Sequence, residues 1–511
     1  MQDRIEELRA RRSAALEMGG PEGLRLVTES GRLPVRDRIE QLLDPESWFE
    51  LGALGLPERR TAKHVPGDAV LTGFGRLSGR PVAVIALDAS VLAGSTAPTS
   101  MRKQGRLIEH AQRSGIPLVF LCDADGGRIP DVMGWRFSGL PLDFQTFLDT
   151  PVALPEVPRA AAVLAPSYGD SALHASTAHF VVMVQSGSVA LSGPSVIESA
   201  IGEQVTDEGL GGPIGAQEAG NVHLVVESEE DAFRAVEAFL SYLPANASLA
   251  APVTPPRSPS RAVSELEHLV PVGGRSGYDM RHVLEAVADS STILSWGSGW
   301  GQSLITAFAR IEGSPVGLVA NQPLVRAGAL DPPALAKELA FIGICDTFNL
   351  PLVFLQDVPG LMIGTQAERA GILRAYERVV LAISHARVPK VAIVLRKAYG
   401  GGHFAMAGRP THPDFLFAWP TAEMGFMAPE TGVRTVYRRR LRQVLDEQGS
   451  EAHEALVEEL TEDWLAEGEP WEAAAHLYLD DVIEPAATRS TIARCIEIAW
   501  GARTERVARQ W

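Results

Sequence analysis

Residues 72–82 read TGFGRLSGRPV, and residues 306–316 read TAFARIEGSPV. Thr72, Phe74, Arg76, Gly79, Pro81 and Val82 recur 234 positions on as Thr306, Phe308, Arg310, Gly313, Pro315 and Val316. The same offset pairs PLVFLCD (117–123) with PLVFLQD (351–357), and Gly126 with Gly360. VPRAAAVLAPSYG (157–169) faces VPKVAIVLRKAYG (388–400) at an offset of 231, which a three-residue indel in the intervening loop explains. One such match arises by chance; three in the same order at nearly one offset require two copies of one fold. A period this long means a duplicated domain and not a solenoid.

Each copy reads as stacked βαβ units, an α/β fold. PLVFLCD and PLVFLQD are short apolar runs ending in Asp and then Gly, the pattern of a buried parallel strand entering a loop. GRPVAVIALD and SPVGLVANQP read as strands after tight turns, and residues 101–113 and 335–347 as helices between strands. APVTPPRSPSR (251–261) is rich in Pro and Ser and separates the copies. The expected division is residues 1–250, a linker at 251–262, and residues 263–511. Residues 1–50 read as a helical arm, and charged helices are expected from Glu423 to the C-terminus.

Composition narrows function mainly by exclusion. Acidic residues number 63 against 46 basic ones, a net charge of −17 and a poor match for general nucleic-acid binding. Gly, Pro or charge interrupts every apolar run well before the roughly 18 residues of a membrane span. The start, MQDRIEELRARR, has no apolar signal-peptide core. Cys122, Cys345 and Cys495 lie far apart and fit neither a disulfide framework nor a zinc knuckle, so a reducing cytoplasm is expected. The 12 His form no HExxH or other close ligand pair, and no metal is expected. The motifs GxxxxGK[ST], GxGxxG and GxSxG are absent too.

What remains is a set of loops. DADGGR (123–128) and DVPG (357–360) follow the PLVFLxD strands, while APSYGDS (165–171) and RKAYGGGH (396–403) follow the second pair. Gly at a strand-to-helix turn permits positive φ and brings backbone N–H groups up to a ligand. Two such loops converging in each copy make a cup of N–H donors suited to an oxyanion. Taken singly, each Gly only permits a tight turn. His403 is a donor in the second cup or a polar wall residue; Phe404 lines a pocket floor or packs in the core. His174, His179 and His385 read as packing or surface residues. Arg396 and Lys397 face an anionic substrate or form a solvated strand-end pair.

Longer motifs resemble the carboxyltransferase (β) subunits of biotin-dependent acyl-CoA carboxylases. In the first half these are GRLPVRDRIEQLLDPESWFELG (31–52), PGDAVLTGFGRLSGRPV (66–82), GEQVTDEGLGG (202–212) and LSYLPAN (240–246). In the second they are GLVANQPLVRAGALD (317–331), LQDVPGLMIGTQAERAGI (355–372), RKAYGGGHFAM (396–406), AWPTAEMGFM (418–427) and DDVIEPAATR (480–489). The resemblance spans nearly the whole chain. It implies two tandem crotonase-like (ββα superhelix) domains, the first holding an acyl-CoA thioester and the second receiving N-carboxybiotin from a separate carrier. A carboxylate would pass to the acyl α-carbon through an enolate held by backbone amides. The resemblance places the first donor pair on Gly169 and Asp170, the second on Gly401 and Gly402. Substrate-binding positions would be Gly126, Gly127 and Tyr168 in one half, and Gly360, His403 and Phe404 in the other. Arg102, Lys103 and Arg106 would meet coenzyme A phosphates or form a solvated helix face. With no MKM attachment motif and no ATP-binding region, partner subunits carrying biotin and biotin carboxylase are implied. So is a homo-oligomer, a hexamer of two stacked trimers.

The chain also departs from the family. DSGGAR becomes DADGGR, with Asp125 in place of Gly, and PCAGGAVY becomes PSYGDSAL, with Tyr168 and Asp170 new. RKAYGGAY becomes RKAYGGGH, and an RHGAK-like helix becomes LRAYERVV, with Ala375 and Tyr376. A carboxylate near a forming enolate costs about 1–4 kcal/mol at 4 Å. Three readings stand. In one, both Asp side chains point to solvent and the enzyme is an ordinary carboxyltransferase. In another, Asp125 or Asp170 has a raised pKa and serves biotin-independent decarboxylation or acyl transfer in specialised metabolism. In the third, the chain is a non-catalytic scaffold.

Overall fold

The computed structural model describes residues 1–59, 66–140, 156–273 and 276–508. The chain divides into two compact units, Met1–Ala250 and Ala251–Trp511. The first holds strands β1 Phe49–Leu51, β2 Val70–Leu77, β3 Arg80–Leu87, β4 Leu118–Ala124, β5 Arg159–Tyr168, β6 Phe180–Val184, β7 Ser188–Ala190 and β8 Leu224–Val226. They form one sheet ordered β1-β2-β3-β4-β5-β6-β8, with β7 beside β5. Helix α1 Pro98–Ser114 joins β3 to β4, and α2 Asp170–Thr177 follows β5.

The second unit repeats this plan. Its strands are β9 Leu294–Ser295, β10 Leu304–Ile311, β11 Ser314–Asn321, β12 Leu352–Val358, β13 Lys390–Tyr399, β14 Phe415–Ala418, β15 Glu423–Gly425 and β16 Asp481–Val482. The order is β16-β14-β13-β12-β11-β10-β9, with β15 beside β13. Helix α3 Pro332–Thr347 joins β11 to β12, α4 Ile372–His385 joins β12 to β13, and α5 Gly400–Ala405 follows β13.

The repeat read from sequence extends to register. Ala83 pairs with Leu118 as Gly317 does with Leu352, and Leu118 with Arg159 as Leu352 does with Lys390. Each unit opens with an antiparallel hairpin, β2–β3 or β10–β11, whose turn places Ser78–Gly79 or Glu312–Gly313 at positive φ. Two successive positive-φ residues match the right-handed twist of the strands they join. The remaining central pairings are parallel. β4 and β12 are buried along their whole length, which is why they read as unbroken apolar runs.

The repeat also identifies a structural lysine. Lys103 Nζ donates to the carbonyls of Gly67 and Val70, and Lys337 Nζ to those of Gly297 and Leu304. Burial lowers the first ammonium to about 8 and the second to about 7.

Three segments differ in detail from their sequence reading. The Pro-rich stretch is bound to the second unit: Thr254 N–H donates to Gly313 and Arg310 to the Pro252 carbonyl. The charged C-terminal region is helical but interrupted by β15 and β16, strands of three and two residues. Such short parallel additions carry too few residues to show a period. The N-terminal arm comprises the helices Gln2–Leu16, Gly20–Glu29 and Val35–Leu42, followed by β1. Among the described residues, no helix is long and apolar enough to cross a membrane.

Candidate active site

In each unit the two glycine loops meet at the carboxyl ends of the parallel strands, where open α/β sheets bind ligands. A Cβ on Gly126 would lie 3.2 Å from the Tyr168 carbonyl oxygen, and one on Gly169 would lie 3.2 Å from Gly126 Cα. Both glycines have positive φ, 87° and 59°. In the second unit a Cβ on Gly402 would lie 2.7 Å from Val358 Cγ2 and 2.9 Å from Gly360 Cα. A Cβ at this place would need Val358 and the Gly360 loop to shift.

The scaffolding around the loops is duplicated. Thr96 N–H donates to Gly126 O (2.9 Å) and Arg128 N–H to Thr96 O (2.6 Å). Their counterparts are Leu330 N–H to Gly360 O (3.2 Å) and Met362 N–H to Leu330 O (2.8 Å). Leu173 N–H is bonded to Gly169 O at 3.0 Å. First-turn amides of a helix lie outside its i→i−4 ladder, so those at the heads of α2 and α5 are the donors available beside each pair of glycine loops. The Gly169 amide donates to Leu191 O at 3.2 Å. It is therefore already engaged by the protein, contrary to the expectation of a free donor there.

A tyrosine precedes each turn. Tyr168 donates its hydroxyl to Asp207, and Tyr399 donates to Glu423 Oε2 at 2.7 Å. Burial, and then the neighbouring carboxylate, pushes Tyr168 up to about 12 and raises Tyr399 as well. These clamps tie the end of β5 to the loop beyond β7, and the end of β13 to β15. The Tyr168–Tyr399 match was visible in the repeat; Asp207 and Glu423 carried no signal of their own.

The strand-end aspartates are anchors. Asp123 pairs with Arg32 (2.7 Å) and with Arg38 (2.8 Å), which also grips Glu229. Asp357 pairs with Arg396 at 2.9 Å and faces Lys397 Nζ at 3.8 Å. Arg396 and Lys397 are thus buried and paired, so the solvated-pair reading does not hold. A cavity of about 390 Å³ lined by Arg32, Asp123, Asp125, Tyr168 and Asp207 opens beside the first cup. Asp125 is exposed there, its carboxyl raised by partial burial and by Asp123 and Asp207.

Asp170 behaves differently. Both carboxylate oxygens are buried at the head of α2, on the side of Cys122. A first-turn carboxylate is favourable to the helix dipole. Burial raises the Cys122 thiol to about 12, with Asp170 and Asp123 adding to the effect.

His403 turns into the protein. Gln356 Nε2 donates to Met406 O (2.6 Å), so its Oε1 must accept from His403 Nδ1–H at 2.8 Å. Burial holds this imidazole neutral, lowered to about 4. Its ring lies against Gly408, where a Cβ would come within 2.6 Å of Nε2. Phe404 is half-buried with its ring centroid 5.9 Å from that of His403. His174 stacks on Phe120 at 4.8 Å. Tyr376 reaches the second cup, where a Cβ on Gly401 would sit 3.3 Å from its hydroxyl. Sequence reading noted this residue only as a departure.

Residues 27–511 match the family model for the carboxyl transferase domain. The methylmalonyl-CoA carboxyltransferase 12S subunit of Propionibacterium freudenreichii subsp. shermanii is 35% identical, over 100% of this chain and 97% of its own. The carboxyltransferase subunit of propionyl-CoA carboxylase from Haloferax mediterranei is 35% identical over 96% and 95%. A transcarboxylase 12S crystal structure, described as a hexamer assembly with methylmalonyl-coenzyme A bound, superposes with a TM-score of 0.89. That match has 34% identity and covers 98% of this chain and 96% of the other.

Proposed function

The chain belongs to the carboxyl transferase domain family and is an acyl-CoA carboxyltransferase of the biotin-dependent type; from that premise we propose how its two units divide the work. The Met1–Ala250 unit holds a short acyl-CoA, and the Ala251–Trp511 unit receives carboxyl-loaded biotin from a separate carrier subunit. The net change exchanges a proton on the acyl α-carbon for a carboxylate. The observation that carries this reading is the duplicated cup, two glycine loops in contact at the same place in each sheet.

In the first cup, amides of Asp170, Gly127 and, through a shared bond, Gly169 receive the thioester oxygen as negative charge develops on it. Such preorganised donors act where charge forms and need no reorganisation. Asp170 contributes its main chain, while both oxygens of its carboxylate are buried. The second cup, with Gly402 packed directly against Val358 and Gly360, is the counterpart that would take the ureido oxygen of biotin. Biotin supplies a mobile carboxyl group; Gly401 and Gly402 offer amides, and the Tyr376 hydroxyl is a further donor at the rim.

Supplied with a biotin carrier, a biotin carboxylase, ATP and labelled bicarbonate, the protein is expected to fix label into acetyl- or propionyl-CoA, and to fix none without the carrier. Tyr376→Phe is expected to raise the KM for the carrier several-fold and leave that for acyl-CoA in place. Turnover of thioester with no carrier present, or a Tyr376 effect confined to acyl-CoA, overturns the assignment.

A further inference from the structure

Asp123 and Asp357 stand 234 positions apart, at the same place in the two sheets. Each lies where its strand shifts register against the next one, between Cys122 and Ala124 in β4 and between Gln356 and Val358 in β12. An irregularity of this kind re-aims the chain that leaves the strand. In both units that chain is a glycine loop. The aspartate is shared between the units; what holds it is not.

In the second unit the anchor is local. Arg396, on the neighbouring strand β13, pairs with Asp357 at 2.9 Å, and its Nε donates to Asp357 Oδ2 at 3.1 Å. The Lys397 main-chain N–H donates to Oδ1 at 3.2 Å. At the repeat offset of 231, β5 has Ala165 and Pro166 in these places, and neither brings a charge to Asp123. They line the cavity of about 390 Å³ instead.

In the first unit the guanidinium comes from the N-terminal arm. Arg38 is fully buried in the helix Val35–Leu42, and its Nη1 donates to Asp123 Oδ2 at 2.8 Å. Its Nε and Nη2 donate to the two oxygens of Glu229 at 2.8 and 2.7 Å. Glu229 opens the helix Glu229–Tyr242, so one side chain ties arm, strand end and helix together. Arg32 adds a bond to Asp123 Oδ1 at 2.7 Å. The positions 234 residues beyond Arg32 and Arg38 hold Leu266 and Val272, so the second unit has no copy of this device. From Asp123 the chain reaches Asp125, whose N–H bonds Ala93 O at 3.1 Å, and then Gly126, which packs on Gly169.

We propose that Arg38 is a positioning residue of the first cup: through Asp123 it sets the end of β4, and with it the loop Asp125–Gly127. The inference rests on the reading of the first unit as the acyl-CoA side. It makes the N-terminal arm part of that side's machinery, while the second cup is set from within its own sheet. A guanidinium fork serves two carboxylates at once, which a lysine ammonium does not do in the same geometry.

The test uses the full chain with carrier, biotin carboxylase, ATP and bicarbonate. Arg38→Lys is expected to lower kcat about tenfold, with the KM for the carrier within twofold of wild type. Its amides at 125–127 should exchange faster, a readout that needs no substrate. Glu229→Gln keeps the arginine and loosens its hold; it should fold normally and lower kcat about threefold. Arg38→Lys/Ala165→Arg places a guanidinium opposite Asp123 as Arg396 stands opposite Asp357. It should recover kcat to within about twofold of wild type and restore slow exchange at 125–127. Wild-type kcat in both single variants, or a loss that Ala165→Arg does not recover, overturns the positioning role. Faster exchange and a lower kcat accompanied by a raised carrier KM overturn the acyl-side reading and leave the anchor standing. Wild-type protein that carboxylates no thioester, while the exchange changes appear as described, does the same.

Discussion

Glu338 is fully buried on α3, and neither carboxylate oxygen has a hydrogen-bond partner among the described residues. Its counterpart 234 positions earlier is Gln104, equally buried and equally without a partner. One site is filled by an amide and the other by a carboxyl that burial raises well above its usual 4.5, against the pull of Lys337. Burial thus favours the uncharged carboxyl of Glu338 as the match to the uncharged amide of Gln104. From about pH 4.5 up to its raised value, native Glu338 keeps a proton that the unfolded chain has lost. Stability therefore falls as pH rises across that window, by about 1.4 kcal/mol per unit. Glu338→Gln removes the titration. Unfolding midpoints in urea should be nearly equal for variant and wild type at pH 5, with the variant ahead by a margin that grows as pH rises from there. Gln104→Glu should show the opposite trend. A margin independent of pH would mean that Glu338 is ionised and paired in the native state.

The strands and turns supply a second internal control. Tyr168–Asp207 and Tyr399–Glu423 hold equivalent strand ends beside β7 and β15, each only three residues long. Ladders this short depend on their clamps, because one side-chain hydrogen bond contributes about 1 kcal/mol. Tyr168→Phe should speed amide exchange about fivefold in β7 and around Gly169 while β15 stays as before. Tyr399→Phe should do the reverse. Equal protection of both segments in both variants would show that backbone pairing alone holds them. The hairpins, the buried parallel strands and the helices between them were legible in sequence because each has a period or a turn residue, as with Gly79 and Gly313. β15, β16 and the inward turn of His403 were not, because they depend on pairing across the sheet and on Gln356, far away in the chain. The glycine loops were legible as a set. That the Gly169 amide is shared with Leu191 is a matter of backbone direction, and no residue type announces it.

At the scale of the whole molecule, two of the exposed apolar residues stand near the cups. Leu191 and Phe426 are 73% and 81% exposed, and each lies just beyond the short strand that flanks a glycine turn. In the second unit the Phe426 carbonyl comes within 2.8 Å of where a Gly400 Cβ would be. Large apolar side chains left in water next to a binding loop suit a surface that another protomer covers. The assembly we expect has a mass of six chains of 54.8 kDa by light scattering. Phe426→Asp buries an unpaired charge in such an interface, which costs several kcal/mol per copy. It should yield smaller species that lack carboxyl transfer while keeping the circular dichroism of the wild type. Activity should return with concentration, tracking the assembled fraction rather than total protein. A monodisperse monomer with full activity would place both cups within one chain and remove the need for a partner copy.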